Sequence, residues 1–313
     1  MSDSVLSLGL TPAVQRTMVF KKFELGEVNR AVESYQSSAG KAVNTATALA
    51  TLGSTAIATG FNGGASGRFL EEYVKAQGAL TSFTAMDQVT RTCTTVVDTA
   101  AGVITELVEE GPDPGSSAVR EFARSNGALV ADTRLLAISG TLPPYVKDDF
   151  YVSFAEAATA AGVPIVIDSH RDALLNVLTA QPLLAKLTVR ELERTFAVTC
   201  DDDDTILENA RRLCKVGAQW VMVTHGGRPA LLCGVDEAVW FDLPEIKVKN
   251  PIGSGDSTTA GFIHELLDGG GDVVTATVFG LGCGMANALT WLPAQFEKGE
   301  AQRLAELVKV RRV

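Results

Sequence analysis

The stretch Asn250-Pro-Ile-Gly-Ser-Gly-Asp-Ser-Thr-Thr-Ala-Gly-Phe262 joins a glycine-rich turn to a helical pattern running from Asp256 through Leu267. Gly253, Ser254 and Gly255 are small, so the turn can present free main-chain N–H groups and the positive end of the helix dipole to an anion. Asp256 stands in the same turn. A carboxylate beside an anion hole repels a bare phosphate, so stability alone does not call for the pairing. It makes sense if the carboxylate accepts a proton from a hydroxyl while the amides stabilise a phosphoryl group under attack. Taken alone, the pattern fits Asp256 as a plain N-cap equally well.

Outward from this turn, short aliphatic runs alternate with helical stretches. Val5–Leu10, Thr55–Phe61, Leu135–Ser139, Pro164–Asp168, Leu183–Lys186 and Trp220–Thr224 read as buried strands. Helical patterns occupy Ala42–Leu52, Gly67–Gln77, Ala118–Ala131, Asp148–Ala161 and Thr205–Val216. Strands that lack polar alternation, each followed by a helix, predict an α/β fold with a doubly wound, mainly parallel sheet covered by helices on both faces. Two segments break this rhythm. Thr17–Ser37 and Arg91–Leu107 alternate polar with apolar residues, as half-exposed antiparallel strands do. They are expected to pair into a small β-sheet lid or dimerisation surface, formed by insertions at about 12–37 and 91–110 of a single domain spanning 1–313.

Composition narrows the function. The chain has 313 residues, 46% of them apolar, and carries 27 Lys plus Arg against 37 Asp plus Glu, a formal charge of −10. That is enough apolar sequence for a substantial core, and the charge argues against nucleic-acid or membrane-surface binding. Any anionic ligand must be held by a local group of donors. The five cysteines are scattered without a C-x-x-C pair and read as reduced thiols; the three histidines show no metal-ligand spacing. The N-terminus Met1-Ser-Asp-Ser-Val has no basic segment, so no signal peptide is expected and the location is expected to be cytoplasmic. Val273 to Phe296 is uncharged and long enough to span a bilayer, yet a Gly- and Ala-rich helix packed inside an α/β protein explains it better. The run Asp201–Asp204 is expected to cap the helix that follows, not to bind metal.

A second glycine-containing motif, Ser38-Ala-Gly-Lys-Ala-Val-Asn44, resembles the end of a P-loop but fails its pattern, with Tyr35 where Gly is required and Ala42 in place of Ser or Thr. Lys41 at a helix start is opposed by the dipole, which favours a ligand-facing role over a solvated one. Gly60–Gly67 and Gly280–Met285 miss the dinucleotide pattern. Arg91 is a candidate anion ligand through its bidentate fork; its plain alternative is a solvated strand charge.

Together these pieces resemble the ribokinase-like (PfkB) carbohydrate kinases, and within them the branch of 1-phosphofructokinase and tagatose-6-phosphate kinase. Leu10-Thr-Pro-Ala-Val-Gln-Arg-Thr17, Leu25-Gly-Glu-Val-Asn-Arg30, Ser139-Gly-Thr-Leu-Pro-Pro144, Lys186-Leu-Thr-Val-Arg-Glu191 and Asn250–Phe262 match that branch in order and approximate spacing. The resemblance implies ATP and Mg²⁺, with Asp256 as catalytic base and Gly253, Ser254 and Gly255 as the anion hole. It places Lys186, Thr224, Gly226 and Asn287 at the nucleotide, and Glu191 at Mg²⁺ through water. Gln15, Gly40, Lys41, Asn44, Arg91 and Ser139 would hold a sugar phosphate, and Arg30 on the lid would reach across a homodimer. Three positions depart from the family pattern: Gln15 for Asp, Ala39-Gly-Lys-Ala42 for G-G-K-G, and Thr188 for the Asn that opens N-x-x-E. None touches Asp256. The expected activity is phosphorylation of a ketohexose phosphate; the rivals are a kinase for an unphosphorylated sugar and a non-catalytic binding protein of the same fold.

Overall fold

The structure is a computed structural model that describes residues 3–312 except 141, 144, 269 and 271. Met1 and Ser2 of the N-terminal segment, and Thr141 and Pro144 of the 139–144 motif, lie outside the described residues. The first half contains β1 (Ser4–Leu8), β2 (Ala13–Phe20), β3 (Glu33–Ala39), α1 (Lys41–Leu52), β4 (Thr55–Asn62), α2 (Gly64–Ala76), β5 (Leu80–Ala85), β6 (Thr92–Asp98), β7 (Val103–Val108), α3 (Ser116–Val130) and β8 (Leu135–Ser139). The second half contains α4 (Val152–Ala161), β9 (Ile165–Asp168), α5 (Arg171–Leu175), β10 (Leu184–Thr188), α6 (Val189–Phe196), α7 (Asp203–Val216) and β11 (Trp220–His225). It ends with β12 (Arg228–Cys233), β13 (Ala238–Asp242), α8 (Ser254–Asp268), α9 (Val273–Ala288), α10 (Lys298–Ala305) and β14 (Lys309–Arg312).

Among the described residues the larger sheet has ten strands in the order β14-β13-β12-β11-β10-β9-β8-β1-β4-β5. From β5 to β11 neighbours run parallel; β12, β13 and β14 add an antiparallel edge. Alternate residues of one strand feed two separate cores. Leu6, Leu136, Ile138 and Ile167 pack with Phe122, Phe154, Leu192 and Leu213 of α3, α4, α6 and α7. Val5, Leu135, Ala137 and Val166 pack on the other face with Leu49, Leu70, Phe262, Leu281 and Leu304 of α1, α2, α8, α9 and α10. This is the doubly wound arrangement expected from unbroken apolar runs, each buried side chain contributing about 1.5–3 kcal/mol. β5 and the β12–β13–β14 edge carry no signal in the strand pattern read above, and the helix expected from Asp148 starts at Val152.

The two insertions form a second sheet, order β3-β2-β6-β7. Its central pair is parallel, Val14 opposite Thr92, flanked by two antiparallel hairpins. That corrects the all-antiparallel expectation. Each insertion begins with a strand leaving the larger sheet, so the two outgoing strands lie side by side and point the same way.

The uncharged 273–296 stretch supplies α9, and its glycines are contact points. A Cβ on Gly280 would meet the Thr258 carbonyl oxygen at 2.6 Å, and one on Gly284 the Thr258 Oγ1 at 2.2 Å and the Ser254 carbonyl oxygen at 2.9 Å. The missing side chains let α9 lie directly against the first turns of α8. No helix among the described residues is long and apolar enough to cross a membrane. Asp202 caps α7, its carboxylate accepting from the Thr205 amide at 2.8 Å.

Candidate active site

The turn before α8 is built by internal hydrogen bonds. The Asn250 side chain accepts from the Ile252 amide at 3.1 Å and donates to the Trp291 carbonyl at 2.9 Å. Gly253 has φ +82°, and a Cβ there would meet Pro293 Cβ at 2.8 Å, so both conformation and space require glycine. Gly255 faces the ammonium of Lys186, 2.8 Å from where its Cβ would stand. The expected ring of amides needs one correction. The Ser254 N–H closes the tight turn onto the Pro251 carbonyl at 3.1 Å and is consumed there. The amides of Gly253, Gly255 and Asp256 hydrogen-bond no described residue, as the first turn of a helix leaves them.

Asp256 is buried, with its Oδ2 accepting from Asn44 Nδ2 of α1 at 2.7 Å. Beneath it lies a chain of ion pairs. Asp168, at the C-terminal end of β9, accepts from Lys41 Nζ on Oδ1 and from Lys186 Nζ on Oδ2, each at 2.7 Å, and from Thr259 Oγ1 at 3.2 Å. Lys41 Nζ also reaches Glu191 Oε1 at 2.9 Å. Glu191 Oε2 accepts from the Thr188 amide at 2.8 Å and its hydroxyl at 3.0 Å, closing a capping box on α6.

Electrostatics separate the carboxyls. Burial opposes the charge on Asp168, yet Lys186 and Lys41 hold it well below the usual carboxylate range. Burial likewise opposes charge on Lys41, but Asp168, Glu191 and Asp256 outweigh it and raise the ammonium above its ordinary value. Asp256 goes the other way: burial first, then the neighbouring Asp168 charge, push it up to about 6, partly offset by Lys41 and Lys186. A carboxylate poised near neutrality beside free amides is what proton abstraction coupled to anion stabilisation requires.

Two cavities flank this centre. The first, about 270 Å³, is lined by Thr11, Gly40, Lys41, Arg91, Ser139 and His170 among others. The Arg91 guanidinium donates to the carbonyls of Thr11 and Glu109, each at 2.9 Å, while its Nε, the Ser139 hydroxyl and His170 Nδ1 are buried without a hydrogen-bond partner, the last standing 3.7 Å from Glu191 Oε1. The second, about 430 Å³, is lined by Thr188, Thr224, Gly226, Ser254 and Gly255 together with apolar residues of 243–248 and α9. Asp256 itself lines neither; the preceding residue lines the second cavity, and its partner Asn44 lies one turn along α1 from Lys41, which lines the first.

Four other expected residues line neither cavity. Gln15 is buried in the smaller sheet, donating to Thr95 Oγ1 at 2.7 Å, and lines neither cavity. Asn287 is buried beneath the turn, donating to the Ile252 carbonyl at 2.8 Å and Ser254 Oγ at 3.0 Å and accepting from the Ala294 amide at 2.7 Å. Lys186 is buried below Gly255. Arg30 is exposed in the segment joining β2 to β3. Asp168 and His170 were not singled out from sequence. Their signal was available: a polar pair just where a parallel strand ends, the position at which doubly wound sheets bind ligands.

At the strand ends of the doubly wound sheet, a buried acid stands beside a turn with unbonded amides. The family model described as pfkB family carbohydrate kinase matches residues 2–290, and the chain belongs to that family. It is a sugar kinase. Its fold is also that of solved structures at low identity. A Thermotoga maritima chain described as a possible 1-phosphofructokinase matches with TM-score 0.91 and 22% identity over 99% of each chain. Phosphofructokinase-2 from Escherichia coli in complex with fructose-6-phosphate matches with TM-score 0.84 and 22% identity, covering 97% of this chain and 98% of that one. Ribokinase of Arabidopsis thaliana complexed with ribose and ATP matches with TM-score 0.74 and 16% identity, covering 97% and 98%.

Proposed function

We propose that this kinase transfers the terminal phosphoryl group of ATP to a hydroxymethyl group of a ketohexose phosphate of the fructose 1-phosphate, tagatose 6-phosphate or fructose 6-phosphate type. The observation that carries it is Asp256, a buried carboxyl pushed up to about 6 beside the unbonded amides of Gly253 and Gly255, the second of which lines the second cavity. The sugar occupies the first cavity and the nucleotide the second. Asp256 takes the hydroxyl proton, and the amides of Gly253, Gly255 and Asp256, with the Lys186 ammonium below, stabilise the charge on the transferring group. Asn44 holds the Asp256 carboxylate in place. Closure of the smaller sheet as a lid over the body, within one domain spanning 1–313, excludes water.

Two features favour a phosphorylated sugar over a neutral one. Arg91 donates only to carbonyls and forms no ion pair among the described residues, with the Glu106 carboxylate within electrostatic reach of it. Beside it the Ser139 hydroxyl is unpartnered. Lys41, expected to share this work, has its charge matched by Asp168 and Glu191, which leaves Arg91 as the main anchor. A panel of hexoses and hexose phosphates with ATP and Mg²⁺, scored by ADP formation, tests the reading; turnover confined to unphosphorylated sugars, or none at all, refutes it.

For Mg²⁺, no group of three acidic, His or Cys side chains stands ready among the described residues. Glu191 Oε1, which accepts one bond from Lys41, retains acceptor capacity for a metal-bound water, so the residues fit a cation held through its hydration shell. Such an ion would neutralise charge on the nucleotide phosphates.

Because Asp256 must be ionised to accept a proton, activity is gained as pH rises through about 6 and should fall tenfold per unit well below it. The same raised value means the neutral carboxyl adds stability that is fully present below its ordinary 3.8 and lost as pH rises through about 6. A kcat profile flat from pH 7 down to 4 would exclude Asp256 as the base.

The outer part of the smaller sheet carries exposed Leu25, Val28, Val32, Val103 and Leu107, each at least half exposed. We read this apolar patch as the surface that pairs two copies through their lids. Sedimentation should give a dimer, and Leu107→Glu a monomer; a monomeric wild type sinks this.

A further inference from the structure

The second cavity divides by chemistry. Its hydroxyl groups sit at the ends of β10 and β11 and around the turn of α8: Thr188, Thr224, Ser254 and Thr258. Thr188 and Thr258 already donate internally, to Glu191 Oε2 at 3.0 Å and to the Ser254 carbonyl at 2.9 Å. Away from the turn the walls are Leu243, Ile246, Val248, Leu281, Met285 and Ala288. No Asn, Gln, Asp, Glu, His, Lys or Arg side chain lines the cavity among the described residues. Asn287, expected beside the base, has its amide committed to the turn and to Ala294.

We infer that this kinase holds the purine of its phosphoryl donor by shape and apolar contact and therefore uses GTP and ITP as well as ATP. The inference rests on the reading that the second cavity takes the nucleoside. Adenine and hypoxanthine or guanine present opposite donor and acceptor groups at the six-position. A site built to hydrogen-bond such a group rejects its analogue by about 10⁴–10⁵-fold, because buried polar groups are then left unpaired. A wall of alkyl side chains has nothing to leave unpaired. It distinguishes ligands by ring area and fit, so purines exceed pyrimidines and differ little among themselves. Phosphoryl transfer itself is unchanged: the oxygen–phosphorus bond to the donor breaks, the bond to the sugar hydroxyl forms, and Asp256 takes the proton.

The test has two measurements on the full chain. With a sugar phosphate that supports ATP turnover, kcat/KM for ATP, GTP and ITP should agree within about 100-fold. Independently, titration calorimetry with ADP, GDP and IDP should give dissociation constants within the same range. A preference for the adenine nucleotides above about 100-fold in either measurement overturns the inference and shows main-chain groups reading the base. Calorimetry that detects none of the three also overturns it. Absence of turnover with every sugar, while the three diphosphates bind alike, would instead refute the proposed activity and leave the inference standing.

Discussion

Asp256→Asn is expected to lower kcat by roughly 10²–10⁴-fold while leaving the KM for ATP within a few-fold of wild type. The substitution keeps the shape, and the new amide oxygen can still accept from Asn44, as Oδ2 now does at 2.7 Å. What it removes is the ability to take a proton. The nucleotide is proposed to sit in the second cavity, which Thr224 and Gly226 line and Asp256 does not, so binding should persist. Single-turnover measurement with saturating ATP separates the chemical step from binding. A variant turning over within tenfold of wild type would leave Asp256 as a buried acceptor for Asn44 with no part in proton transfer.

Asp168→Ala is expected to cost about 3–5 kcal/mol of stability, the penalty for leaving buried charge unpaired. Asp168 is 1% exposed and is the common acceptor of Lys41 and Lys186, whose side chains are 32% and 2% exposed. Its removal strands Lys186 without its carboxylate beneath Gly255 and transfers Lys41 wholly to Glu191. Asp168→Asn, which keeps acceptor capacity on one oxygen, should cost less. Urea unfolding of both variants checks the order. A loss below 1 kcal/mol for the alanine variant would mean that water replaces the carboxylate, and that the site is far wetter than its burial implies.

Much of this was legible in the chain itself. The turn 250–262 announces both a helix start and an anion site, because glycine, serine and aspartate at those positions have few other joint uses. The central strands were legible because burial on both faces removes alternation. Asp168 was not, since its partner Lys41 is 127 positions away and only the assembled sheet brings them together. Asn287 was read toward the nucleotide from the resemblance alone; that its amide braces the turn, donating to the Ile252 carbonyl, follows only from the packing of α9 on α8. Gln15 was read toward the sugar from the resemblance; its bond to Thr95 comes from the parallel pairing of β2 with β6. Each of these depends on contacts that no local pattern encodes.

The side-by-side alignment of Val14 with Thr92 also bears on the order of assembly. Neither insertion alone holds more than a two-stranded hairpin, which is marginal in water. The four-stranded sheet can form only once the nascent body has brought the two roots together. It should be the last element to consolidate, and the first to open when the enzyme is warmed.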